Sequence, residues 1–288
     1  MKYLFFTSIV FLFTAVYAAL VLMSDTDPHQ YLLLKQILVA VFAIQWLAFV
    51  PAFFFKTEKF YDLTGSLTYI SIFICSLIVT DSFQDFKIGN LIIATAVLLW
   101  AVRLGSFLFL RIISAGKDER FDSIKVSFAQ FLMTWTLQGM WVFICSSAAL
   151  VAISSASGAV VNYLFGIGLA VFIIGWLIEV IADNQKSAFR AIEKNKDRFI
   201  NQGLWARSRH PNYFGEITLW LGIAIMSVPS FSGMNYLALF SPVFTYLLLN
   251  NISGIRLLEA RGNKKWGHLE DYQLYLNSTP KLIPKLFR

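Results

Sequence analysis

The chain has 288 residues, of which 57% are hydrophobic and only 14% charged, with a net charge of +7 and a mean hydropathy of +0.64. Soluble domains carry about a quarter charged residues. This composition therefore excludes a soluble enzyme, a disordered chain, a disulfide scaffold and a nucleic-acid reader with a basic soluble face. Apolar runs of about 20 residues recur, each long enough to cross a hydrocarbon core of about 30 Å, so the expected class is an all-α, polytopic membrane helical bundle.

Taken in order, Lys2 with the run Tyr3–Ala15 and the small residues Ala18 and Ala19 has the outline of a signal peptide. The apolar stretch continues through Leu22, which fits a first membrane helix better. Spans are then expected at Tyr3–Met23, Tyr31–Phe55, Leu63–Thr80, Ile88–Ile113, Phe128–Ile153, Val160–Ala182, Phe214–Val228 and Met234–Leu249. The last two are short and share a turn at Pro229, Ser230 and Gly233. Cys75 and Cys145 both lie inside apolar runs and read as small packing residues. No low-complexity linker or internal repeat divides the chain, so residues 1–288 are expected to form a single domain.

The loops alternate in charge as this parse requires. Ser24–Gln30 and Ser154–Ala159 carry no Lys or Arg and Asp81–Lys87 carries one, while Lys56 and Lys59, and then Lys117, Arg120 and Lys125, fall in the loops between. Segment Asp183–Tyr213 carries seven cations, and the tail after Asn250 carries seven more. The positive-inside bias then puts both termini in the cytosol, in the endoplasmic reticulum if the host is eukaryotic and the inner membrane if it is bacterial.

These cations are interleaved with a pattern that reads as a site for an anionic ligand. Asp183, Lys186 and Arg190 recur at helical spacing and extend the sixth span into the cytosol on one face. Pro211 suits a first helical turn, with Ser208 or His210 placed to cap it, so the seventh helix presents its N-terminal donors to the cytosolic side. Asn212 and Glu216 lie four apart and share a face at the membrane boundary. A carboxylate in a membrane helix suggests function by default, and an amide beside it offers a donor and an acceptor, as a carboxamide ligand such as nicotinamide requires. The alternative for this pair is polar glue between helices. Gly166 and Gly168 lie within an apolar helix, so no Rossmann fingerprint is present. His29, His210 and His268 are too scattered for a metal site and no metal is expected.

Gly203-Leu204-Trp205 followed by Arg209-His210-Pro211-Asn212-Tyr213-Phe214-Gly215-Glu216 resembles the signature of the membrane steroid 5-alpha-reductase superfamily, which includes the sterol C14 reductases. The resemblance is strongest from about Val160 to Arg288, and is closest to the branch described by its 5-alpha-reductase-like C-terminal domain. It implies a seven-helix core that binds NADPH from the cytosolic side and reduces a carbon–carbon double bond conjugated to a carbonyl. Residues 1–30 would add one N-terminal helix to that core, and residues 160–288 would be its cofactor-binding half. Carried over by position, Asp183, Arg190 and Arg198 fall where the family holds the nucleotide, and Asn212 and Glu216 where it holds the nicotinamide. Lys186, Arg209, His210 and Tyr213 belong to the same stretches, with His210 expected to donate to a phosphate oxygen. Lys117 or Arg120 resembles a basic turn that reaches the phosphates, and Arg261 and Lys265, beside Trp266, lie near the family's last cofactor contacts. Clustered Arg and Lys favour the extra phosphate of NADPH over NADH.

Hydride addition to an enone also needs a donor at the carbonyl oxygen. The steroid reductases place a Glu and a Tyr there; Asp62 matches the Glu in type, but the Tyr is missing and Arg103 is the polar residue near its place. An intramembrane Arg103 needs a partner, for which Asp62 is the expected residue. Tyr69, sharing a helix face with Asp62 and Ser66, is the other donor expected. The expected substrate is a hydrophobic lipid or steroid-like molecule entering from the bilayer, with membrane lipids as neighbours and no nucleic-acid partner. Two other readings stand beside this one. One is an S-adenosylmethionine-dependent methyltransferase of the isoprenylcysteine carboxyl kind, which shares Arg-His-Pro-x-Tyr-x-Gly but leads one to expect an acidic Glu-Glu run where Leu257–Arg261 offers only Glu259. The other is a non-catalytic membrane scaffold.

Overall fold

A computed structural model describes residues 2–23 and 28–285. Ser24–Asp27, within the expected first loop, and the last three residues of the basic tail lie outside the described residues. The chain is an all-α polytopic bundle, with no strand among the described residues. Its helices are α1 (Lys2–Leu22), α2 (Pro28–Phe54), α3 (Tyr61–Val79), α4 (Ile88–Ala115), α5 (Phe128–Ser154), α6 (Tyr163–Ala191), α7 (Pro211–Ser227), α8 (Phe240–Leu247), α9 (Ile255–Trp266) and α10 (Glu270–Ser278). Helices α1 to α6 are each long and apolar enough to cross a membrane, and so is the stretch Gly233–Trp266. The chain is accordingly a multi-pass membrane protein.

The eighth expected span, Met234–Leu249, is not one regular helix. It runs as a 3-10 segment (Gly233–Leu239), α8, a π turn (Leu248–Ile252) and then α9. Pro242 has no N–H to donate, and is tolerated because it falls in the first turn of α8. Helix α6 runs nine residues past the apolar stretch, carrying Asp183, Lys186 and Arg190 on regular helix as their spacing requires.

Two compact units divide the chain: residues 1–166 with 224–241, and residues 167–223 with 242–288. In the first, α5 is the core, and α1, α2, α3 and α4 all pack against it. Phe143–Ser154 is buried on every face, which its small residues Cys145, Ser146, Ser147, Ala148 and Ala149 permit by letting neighbouring helices come close. Polar ties fix the layers: Tyr17 Oη lies 2.7 Å from Ser147 Oγ, Gln45 donates to Thr68 at 2.9 Å, and Tyr61 donates to Thr134 O at 3.0 Å.

The ends of this unit are tied separately. At one end, Glu58 of the α2–α3 loop accepts from Lys125 at 2.6 Å and from Asp118 N at 2.9 Å in the α4–α5 loop. Burial works to raise the Glu58 pKa, but these two donors outweigh it and hold the carboxyl below its usual range. At the other end, Asn90 donates to Ser82 and to Ile153 O and accepts from Ala159 N, while Val160 N donates to Ser230. The loops carrying Lys56 and Lys59 and carrying Lys117, Arg120 and Lys125 thus share one end of the unit, and the Asp81–Lys87 and Ser154–Ala159 loops share the other.

Candidate functional site

In the second unit, α6 and α7 run antiparallel with their backbones in contact. A Cβ at Gly215 would lie 2.6 Å from both Gly175 O and Glu179 N, and one at Gly222 would lie 2.7 Å from Gly168 O. Only glycine fits such an approach. The contact sets Glu179 level with Gly215–Glu216, and the same register one turn on sets Asp183 level with Pro211–Asn212. Glu179, Asp183 and Glu216 are 2%, 6% and 7% exposed, and Asn212 is half-buried. Three carboxylates and an amide therefore occupy two adjacent levels of one helix pair, buried where a soluble protein would leave them wet.

The Gly203-Leu204-Trp205 turn closes over the end of α6. Gly203 has φ +62°, and a Cβ there would press on the Gln185 amide. Leu204 N donates to Gln185 Oε1 at 2.9 Å, and Trp205 Nε1 donates to Ala182 O at 2.9 Å. Lys186 Nζ sits 4.4 Å above the Trp205 ring, a cation–π placement. Each residue of this motif thus fastens the loop to the helix that carries Asp183.

At the start of α7, His210 O accepts from Phe214 N at 3.1 Å, so His210 holds the capping position while Ser208 Oγ accepts from His210 N at 3.2 Å. The His210 ring stacks on Tyr213 with centroids 5.9 Å apart. Its Nε2 meets Glu259 of α9 at 3.3 Å, and Arg209 pairs with the same carboxylate at 3.1 Å. Burial lowers the His210 pKa, and the Glu259 hydrogen bond only partly restores it, which favours the neutral imidazole. Assigned from this bond, the tautomer carries its proton on Nε2. Nδ1, buried and without a hydrogen-bond partner, is then an acceptor. The donation from His210 to a phosphate that the sequence leads one to expect would compete with this Glu259 contact.

The remaining cations of this unit lie further out. Arg190, Arg198 and Arg261 are exposed. Lys265 bonds Asp197 at 2.8 Å, and the Trp266 indole donates to Asp197 O at 2.6 Å. The Asp197 pKa is lowered, first by that Lys265 hydrogen bond.

In the first unit, Lys117 pairs with Asp122 at 2.8 Å and Arg120 with Asp118. Both cations expected to meet a phosphate are thus held by carboxylates of their own loop. Asp62 opens α3 half-buried, Tyr69 is 1% exposed, and Arg103 lies over the Phe107 ring at 5.1 Å. Asp62 and Arg103 form no ion pair. Ser66 meets Gly105, and Tyr69 meets Trp100 with ring centroids 5.1 Å apart. That antiparallel register puts Asp62 more than one turn beyond Arg103 along α4, where Arg111 and Arg120 are the cations acting on it. Tyr69 also packs against Trp141 at 5.5 Å, perpendicular to both indoles within 10°.

Sequence reasoning passed over Glu179, although the argument that singled out Glu216, a carboxylate inside an apolar run, applies to it equally. It also read Glu259 only as a shortfall against an acidic pair, when its role is to hold Arg209 and His210. The family described as "Protein of unknown function (DUF1295)" matches residues 48–279. No curated protein and no solved structure matches the chain.

Proposed function

Because the chain belongs to the DUF1295 family, which is associated with steroid 5-alpha-reductase-like membrane proteins, we propose that it is an NADPH-dependent membrane reductase of that superfamily. Its substrate is a steroid or other apolar lipid bearing a carbon–carbon double bond conjugated to a carbonyl. The observation that carries this reading is the α6–α7 glycine contact, which sets Glu216 and Asn212 one turn apart beside Glu179 and Asp183. The donor set fits the cofactor: Asn212 and Glu216 complement the two hydrogen-bonding ends of a carboxamide, and Asp183 and His210 Nδ1 are acceptors for ribose hydroxyls. Arg190 and Arg198 supply charge for phosphates from the cytosolic side.

When bound, the nicotinamide supplies a hydride to the β-carbon of the enone. The protein's part is to stabilise the negative charge that the double-bond electrons carry onto the carbonyl oxygen, and to protonate the α-carbon side. Tyr69 and Asp62 are the proposed donors, and Arg103 the proposed electrostatic support. The methyltransferase reading gains nothing from Glu259, since that carboxylate is already bound to Arg209 and His210.

The test is isotopic. Purified protein given NADPH carrying deuterium at both nicotinamide C4 positions and a 4-en-3-one steroid is expected to return saturated ketone with one deuterium at the β-carbon, above a no-protein control. A polyprenyl enal accepted in place of the steroid is expected to return the saturated aldehyde with the same single deuterium at the β-carbon. NADPH consumption with neither product labelled, or no consumption with any enone lipid supplied, would overturn the reading.

A further inference from the structure

Helix α6 shows the bilayer one continuous apolar ridge. Ile174, Leu177 and Ile181 recur at helical spacing and are 54%, 45% and 45% exposed, and Gln185 continues that face one turn further. At about 100° per residue, Asp183, Lys186 and Arg190 fall on the opposite side of the helix. Where the ridge reaches the helix end, the surface sinks into a cleft of ≈ 390 Å³ lined by Ile181, Gln185, Gly203, Leu204, Ala206 and Arg207.

The lining is amphipathic. Ile181, Leu204 and Ala206 make its apolar wall, and Gln185 and Arg207 its polar one. Gln185 Oε1 is committed to Leu204 N at 2.9 Å, so the amide Nε2 is what Gln185 offers the cleft. Arg207 is flanked by the end of the chain, since Lys285 N donates to Arg207 O at 3.0 Å and Ser208 Oγ donates to Leu282 O at 2.7 Å. Along residues 281–285 exposure alternates, with Lys281, Ile283 and Lys285 exposed and Ile283 71% exposed. An exposed isoleucine between two lysines is the make-up of a segment seated at the headgroup level of a bilayer.

We propose that this cleft binds an anionic phospholipid. Arg207 and Gln185 Nε2 hold the phosphodiester, Lys285, whose Nζ donates to Ser278 O at 2.5 Å, adds positive field from outside the cleft, and an acyl chain lies along Ile181, Leu177 and Ile174. An arginine with an amide donor suits a phosphate oxygen pair better than a choline headgroup, and the ridge is the natural bed for the chain attached to it. The site uses the face of α6 turned away from Asp183, so it is independent of the proposed reductase activity.

Native mass spectrometry of the full-length protein in detergent tests this, with dioleoylphosphatidylglycerol, dioleoylphosphatidylcholine and inorganic phosphate titrated in parallel. Retention of the anionic lipid is expected, weakened about tenfold or more by the double variant Arg207→Ala, Lys285→Ala. Ile181→Trp, which fills the cleft from the lipid side with both cations intact, is expected to weaken it similarly. Lipid-free melting temperatures within about 2 °C of the wild type would show that the variants fold. Equal retention of phosphatidylcholine, binding of phosphate that the anionic lipid does not displace, or unchanged binding in Ile181→Trp and the double variant would each overturn the proposal.

Discussion

Glu216→Gln is expected to lose at least about 100-fold in NADPH-dependent turnover. Glutamine keeps the volume and the helix propensity, and adds no cavity beside the buried backbone contact at Gly215. What it removes is the charge and one acceptor at the level of Glu179. Asn212→Ala takes away the amide one turn nearer the start of α7, and a loss of similar size is expected. Both variants retaining full activity in the deuterium-transfer assay would remove the nicotinamide assignment while leaving the fold as described.

Gly215→Ala is expected to be among the most damaging single methyl additions in the chain. The new Cβ would sit 2.6 Å from Gly175 O and from Glu179 N, and both are backbone atoms that cannot rotate aside. Helices α6 and α7 must separate, at a cost of about 3 kcal/mol, or the protein fails to accumulate. Gly166→Ala on the same α6 is the control, since nothing lies within 4 Å of its Cβ position. It is expected to be neutral or to stabilise by up to about 1 kcal/mol. Melting temperatures in detergent that fall equally in the two variants, or in neither, would contradict the close-packed account of this helix pair.

What was legible in the sequence follows from the range of each physical signal. Hydropathy over about 20 residues is a local property, so α1 to α6 lie where their apolar runs predict. Helical spacing is local too, and it carried Asp183, Lys186 and Arg190 correctly onto one helix beyond the apolar stretch. Pairing between helices is not local. Asp62 and Arg103 looked like partners because each needed one, but the register set at Ser66 and Gly105 separates them along α4. Lys117 and Arg120 are each paired within their own loop, with Asp122 and Asp118, a pairing that a count of cations along the chain does not reveal. The glycines at 175, 215 and 222 carried the most information about the site, and became readable only once two helices were seen to share a contact.

The central claim is that the folded chain binds NADPH. A ligand that binds only the folded state raises the unfolding transition, by about 2.7 kcal/mol of added stability at a hundredfold excess over its dissociation constant. The measurement is therefore the melting temperature of the detergent-purified protein with NADPH, NADH, S-adenosylmethionine or no addition. The account predicts a clear rise with NADPH, a smaller one with NADH and none with S-adenosylmethionine. A rise with S-adenosylmethionine alone would assign the chain to the methyltransferase class, and no rise with any of the three would contradict a nucleotide-dependent enzyme of either kind.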